Sequence, residues 1–363
     1  MSTPDFEIEY GPARERFLRA ASEVGATVVS YDHPLVGRRG EALATDVARL
    51  GPSDAQRALV VTSGTHGVEG VCGSGIQSRL LEGVAPHIAE DLALVFVHAH
   101  NPHGFSWWRR TTEENVDLNR NGRDFSRPLP VNEAYAEVHP LLLPDDWEGP
   151  ARRAADERIE AYKAERGEGA WQAAVSCGQH EHADGLFYGG REATWSHRTI
   201  RDYVGSQLAD FEHVGVLDLH TGLGPRGHGE LIYARDPGDD EHQRLLRWLG
   251  SDVTSVRDGS STSAPVEGTI DAIFRDVLGD DRTTFCVVEY GTVPIDRVLG
   301  ALRADNWLHA KGDPDGTDAK AVKALMREAF WGDDAEWQDA VTERALECVG
   351  GMIRGLHSRV TSG

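Results

Sequence analysis

The chain has 363 residues, enough for one large α/β domain with insertions, or for a main domain with a small second one. With 59 acidic against 37 basic residues the formal net charge is −22, which argues against nucleic acid and anionic membranes as partners, because phosphate contacts need a basic face. The four cysteines, Cys72, Cys177, Cys286 and Cys348, form no CxxC pair, which argues against a disulfide framework and a thiolate zinc site; they read as reduced and mostly buried.

The N-terminal segment has no basic stretch leading into an apolar one, and nowhere do 18 uncharged apolar residues run together, so a soluble cytoplasmic protein is the expectation. A helix is predicted over 13–24, then a buried strand over 58–62, a helix over 74–82 and a second strand over 92–97. Residues 125–203 break this rhythm with Pro128, Pro130, Pro140 and Pro144, followed by a charged helix over 151–166, and read as an insertion. Strands at 214–219 and 231–234, a helix at 241–248, a mobile Ser-, Thr- and Gly-rich loop at 252–268, a strand at 285–289 and a helix at 334–357 complete the pattern. Strands alternating with helices, with no fixed-period repeat, predict an α/β fold. The expectation is a mixed, largely parallel sheet with helices on both faces, in a single domain over 1–363 that carries the insertion at about 125–203. The pattern says nothing of oligomeric state.

In open α/β sheets ligands bind beyond the carboxyl ends of the strands, so the residues after each strand matter most. The first strand is followed by Ser63-Gly-Thr-His66-Gly-Val-Glu69-Gly, whose imidazole and carboxylate can reach one ion from a glycine-rich turn. His87 and Glu90 have the same spacing but precede a strand, which places them at the opposite edge of the sheet and makes His87 a structural residue. After the second strand come His98, His100 and His103, then Arg109 and Arg110, then Asn119 and Arg120. The three histidines read as structural, whereas a guanidinium can bind a carboxylate or stabilise an oxyanion. His220 ends the strand 214–219 beside glycines and can supply a third ligand, with Asp218 orienting the site. Glu289 ends an otherwise apolar strand, where an unpartnered carboxylate would cost several kcal/mol, about 2–7 for a neutral polar group and more for a charge. Two histidines and a glutamate that leave one position for water form a catalytic rather than a closed structural zinc set, and a second glutamate can then take that water's proton.

In this order, SGTHGVEG, NPHGF, RRTTEENVDLNRN, DLHTGLG and VVEYGT resemble the M14-like metallocarboxypeptidase superfamily over about residues 57–295. They look most like its DUF2817 branch, with succinylglutamate desuccinylase and aspartoacylase as more distant relations. The resemblance implies one Zn2+ per chain on His66, Glu69 and His220, and general base and acid work by Glu289. Asn119 and Arg120 match the pair that holds a substrate carboxylate. Arg110 matches the arginine that polarises the scissile carbonyl; Arg109 is the alternative and is counted with the substrate-binding residues. Tyr188, Tyr233 and Tyr290 are candidates for the tyrosine that closes over substrate in the peptidases. The implied activity is cleavage of an amide bond in a peptide or N-acyl amino acid that bears a free carboxylate. Side-chain preference cannot be read from the insertion, in which His180 and His182 read as loop residues.

Other classes fit less well. The glycine-rich SGTHGVEGVCGSG is not G-x-G-x-x-G and no Lys-Ser/Thr pair follows, so nucleotide binding is disfavoured. No G-x-S-x-G occurs, which argues against an α/β-hydrolase. A non-catalytic zinc-binding module could use the same ligands, but would not need Glu289.

Overall fold

The computed structural model describes residues 6–84 and 91–358. Eight strands form one sheet: β1 (Thr27–Val36), β2 (Ala42–Leu50), β3 (Arg57–Ser63), β4 (Leu92–His98), β5 (His213–Arg226), β6 (Gly229–Tyr233), β7 (Val253–Ser255) and β8 (Thr283–Gly291). Their spatial order is β1-β2-β4-β3-β5-β8-β6-β7. The central four, β4-β3-β5-β8, run parallel, whereas β1, β2 and the β8/β6 pair are antiparallel. This is the mixed, largely parallel sheet that the alternation of strands and helices predicts.

The central strands are apolar along both faces because both are covered, which explains their unbroken hydrophobic runs. Side chains alternate with period two: Leu59, Val61, Leu94 and Phe96 pack into one core with the helices Tyr10–Glu23, Gly70–Val84 and Ala335–His357. Ala58, Val60, Val95 and Val97 face the other way, against the helices Trp195–Tyr203 and Asp271–Leu278. No described helix is long and apolar enough to cross a membrane.

Several elements depart from the sequence expectation. Strands β1 and β2 have polar residues scattered among their apolar ones and escape a search for apolar runs; β1 is the edge of the sheet and mostly exposed. Within the stretch read as the mobile loop 252–268, β7 pairs in parallel with β6. The segment 125–203 contains the helices Glu133–Leu142, Pro150–Arg166 and Glu168–Ser176, which share a hydrophobic cluster with Val298, Leu302 and Phe330 from the helices Ile295–Ala310 and Ala319–Phe330. Cys72, Cys286 and Cys348 are buried, while Cys177 is exposed. His87 and Glu90 lie outside the described residues.

Candidate metal centre and active-site cavity

Backbone geometry sets the positions of His66 and Glu69. As β3 ends, Gly64 takes a left-handed φ of 66°, and the chain passes within hydrogen-bond reach of the turn after β4 through His100 N to Ser63 O and Asn101 N to Gly64 O. At Gly67 the loop lies against the short helix Pro102–Ser106, where a Cβ would stand 2.1 Å from the carbonyl carbon of Gly104. Gly67 N and Val68 N donate to Arg110 O and Arg109 O at 3.3 and 2.8 Å, so the arginine-bearing run is sewn to the His66 turn. His220 comes from β5, in parallel register with Glu289 on β8. All four groups thus rise from adjacent strand ends.

His66, Glu69 and His220 converge and are buried, with one ligand atom of each lying within 4.8 Å of the others. Glu69 places one carboxylate oxygen 2.8 Å from His66 Nδ1 and the other 2.8 Å from His220 Nδ1, and the two Nδ1 atoms are 3.2 Å apart. The opposite ring nitrogens are occupied: His66 Nε2 faces Asp117 Oδ1 at 3.3 Å, and His220 Nε2 faces Asp218 Oδ2 at 2.6 Å. Carboxylates on the Nε2 side hold the Nδ1 lone pairs toward the common centre. Asp218 is itself fixed by the hydroxyls of Thr62 and Thr65, which donate at 2.5 and 3.0 Å.

The electrostatics fit a cation. Glu69, Asp117 and Asp218 are all buried within this cluster. Burial opposes charge on His220, but Asp218 and Glu69 outweigh it and raise its pKa well above the ordinary value. Burial likewise pushes Glu69 up, yet the imidazoles of His66 and His220 hold its carboxyl well below the usual range. The pocket draws positive charge to its centre, and a divalent ion on two nitrogens and a carboxylate would satisfy it in place of protons. The donor set suits zinc.

Beside this centre a cavity of about 1060 Å3, its open mouth included, is lined by His66, Glu69, His220, Arg110, Asn119, Arg120 and Glu289. Glu289 is buried and accepts a hydrogen bond from Leu223 N at 2.9 Å; burial, and then the charge of Glu69, push its pKa up to about 8. Arg110 donates from Nε to Asp117 at 2.9 Å, and its guanidinium lies 5.2 Å from the centre of the Phe187 ring. Arg120 lies against the same ring, with three of its N–H groups on the carbonyls of Asn119 and Ser176. Asn119 reaches His220 Nε2 at 3.5 Å and accepts from Ile270 N at 3.0 Å.

Arg109 does not join them. Its guanidinium is buried away from the cavity on Asp305 at 3.3 Å and Asn115 at 2.9 Å, and Asp305 also holds Lys323. Of the two arginines, only Arg110 lines the cavity. Tyr188, Tyr233 and Tyr290 are buried and are not among the lining residues; Tyr233 bonds Asp239 and Glu241. His98 contacts Ser74, His100 stacks on His197, and His103 stacks on Trp107, so this trio is dispersed. His180 faces Gly190 O.

Sequence reasoning missed Asp117, which links His66 to Arg110; its signal is a carboxylate two residues before Asn119 in the same run. It also missed the apolar wall formed by Phe187, Val298, Leu302 and Phe330, whose residues come from segments with no motif.

The bovine thrombin-activatable fibrinolysis inhibitor, solved in complex with tick carboxypeptidase inhibitor, superposes with a TM-score of 0.52 at 10% identity over 97% of each chain. A second structure of thrombin-activatable fibrinolysis inhibitor gives 0.52 at 10% identity, covering 97% of this chain and 74% of that one. An aspartoacylase family protein from Mesorhizobium loti gives 0.39 at 16% identity over 81% and 69%. No curated protein matches the sequence. The family described as "Protein of unknown function (DUF2817)" matches residues 6–344. The chain belongs to the DUF2817 family and has a carboxypeptidase-like α/β fold.

Proposed function

We propose that this protein is a zinc-dependent hydrolase that cleaves an amide bond, of a peptide or an N-acyl amino acid, in a small substrate bearing a carboxylate. The observation that carries this reading is the convergence of His66, Glu69 and His220 on the wall of a cavity that also presents Glu289 and Arg110. A zinc ion held by the three side chains would supply a Lewis acid that acidifies water and polarises the substrate carbonyl.

The remaining chemistry belongs to the chain. Glu289 accepts the proton of the attacking water and returns it to the departing amine, its carboxylate aligned by Leu223 N–H. Arg110, steadied by Asp117 on Nε, directs its terminal N–H groups to the oxygen that gains charge as the carbonyl becomes tetrahedral. Asn119 and Arg120 hold the substrate carboxylate; three of the five N–H groups of Arg120 are already committed to backbone carbonyls, which leaves two for substrate. The exposed mouth admits substrate, and the apolar wall excludes water from the reacting centre.

Elemental analysis of protein purified without added metal, beside a His66→Ala variant, tests the metal reading. A panel of short peptides and N-acyl amino acids then separates carboxypeptidase from deacylase. Zinc bound on His66 with no turnover on either panel would favour a non-catalytic zinc-binding module.

A further inference from the structure

A second group of metal-binding type lies outside the cavity, where His139, on the helix Glu133–Leu142, meets His182 and Asp184 from the following loop. One ligand atom of each lies within 4.8 Å of the others. The two imidazoles stack with centroids 4.1 Å apart, and His139 Nε2 is 3.4 Å from Asp184 Oδ1.

Around these side chains the loop is held firmly. Gln179 accepts from Glu181 N and His182 N and donates to His182 O and Leu186 O. Asn115 donates to Ala183 O and Gly185 O, and Asn306 donates to Asp184 O. Yet the imidazoles that this frame presents are poorly satisfied. His139 Nδ1 is buried without a partner, and among the described residues His182 makes ring contacts but no side-chain hydrogen bond. Burial, and then the neighbouring His182, hold the pKa of His139 down, which favours the neutral ring that ligates metals. Lys311, whose charge also acts on His139, already bonds Asp145 and Leu143 O.

We propose that His139, His182 and Asp184 form a second site for a divalent cation of the zinc class, with water completing its coordination on the side where Asp184 is exposed. Two imidazoles and one carboxylate suit zinc, nickel or cobalt rather than calcium or magnesium, which take oxygen ligands. The ion clips the loop to the helix Glu133–Leu142. The same loop continues to Phe187, whose ring lies against Arg110 and Arg120 in the cavity, so this site stiffens one wall of the other.

The test is zinc titration of the full-length chain by calorimetry, in the His66→Ala background so that the first centre does not contribute. The expected result is one zinc equivalent with a Kd tighter than about 10 µM, lost in His66→Ala combined with His182→Gln. Asp184→Asn, at an exposed side chain that leaves folding intact, should weaken it at least about tenfold. Weaker binding in the His66→Ala protein, or binding that neither substitution alters, overturns the proposal. Because the first centre is disabled throughout, these outcomes are independent of whether the protein is a hydrolase.

Discussion

His220 and Glu289 are register partners on the adjacent parallel strands β5 and β8, so their side chains leave the same face of the sheet side by side. One carries the imidazole that meets Glu69 at 2.8 Å, and the other a carboxylate that accepts from Leu223 N–H.

Replacing Glu289 by Gln keeps the shape and the hydrogen-bond acceptor but removes the carboxylate proposed as the base. The expected outcome is unchanged zinc content with kcat lowered about 10²–10⁴-fold, read by elemental analysis and steady-state kinetics on the best substrate of the panel. A Gln variant with a normal rate removes Glu289 from the mechanism.

Without a cation the Glu289 carboxyl titrates at about 8, raised by burial and by Glu69. A divalent ion nearby favours the ionised form and lowers that pKa. The proposed mechanism requires the carboxylate, so kcat/KM should fall as pH drops through an acid limb whose midpoint lies below 8 in the zinc-loaded protein. An acid limb above 8 would contradict this assignment.

Asp218 holds His220 Nε2 at 2.6 Å. Asp218→Asn loses the charge that orients the imidazole and should weaken zinc affinity about 10–100-fold, measured by competition with a chelator.

Gly67→Ala introduces a methyl group where only 2.1 Å separates it from the Gly104 backbone. Backbone cannot rotate aside as a long side chain can, so the turn must move, at a cost of about 1–3 kcal/mol. Urea denaturation should report the loss, and zinc affinity should fall with it because His66 and Glu69 flank the displaced residue.

His98 is buried against Phe17, and burial lowers its pKa to about 4. Its folded pKa lies below the unfolded one, so between about 6.5 and 4 the unfolded chain binds the extra proton and stability declines as pH falls. The shift corresponds to about 3 kcal/mol in the limit of low pH. His98→Gln should flatten the dependence of denaturation midpoint on pH across that window by about one proton.

The parallel centre of the fold was legible because strands buried on both faces have to be apolar throughout, as at 58–62 and 214–219. The antiparallel margin was not: β1 has one covered residue among ten, His33, and Asp32 and Pro34 interrupt any apolar run. At the site, residues that follow strand ends could be found from order and spacing, and His66, Glu69, His220 and Glu289 do meet at one cavity. The distinction between Arg109 and Arg110 was closed to sequence, since it depends on Asp305, 196 residues further along, claiming the first. The apolar wall was equally hidden, because Val298 and Phe330 read as ordinary helix-face residues until the tertiary contacts place them.

The cavity combines His66 and Glu69 with Phe330 from much later in the sequence, and Thr221 donates to the carbonyl of Phe330 at 2.8 Å. During synthesis the His66 and Glu69 turn leaves the ribosome long before that wall does, at roughly 5–20 residues per second. No enclosed site can therefore exist on the nascent chain until Phe330 has emerged. The order of translation thus leaves this cavity one wall short until Phe330 has been made.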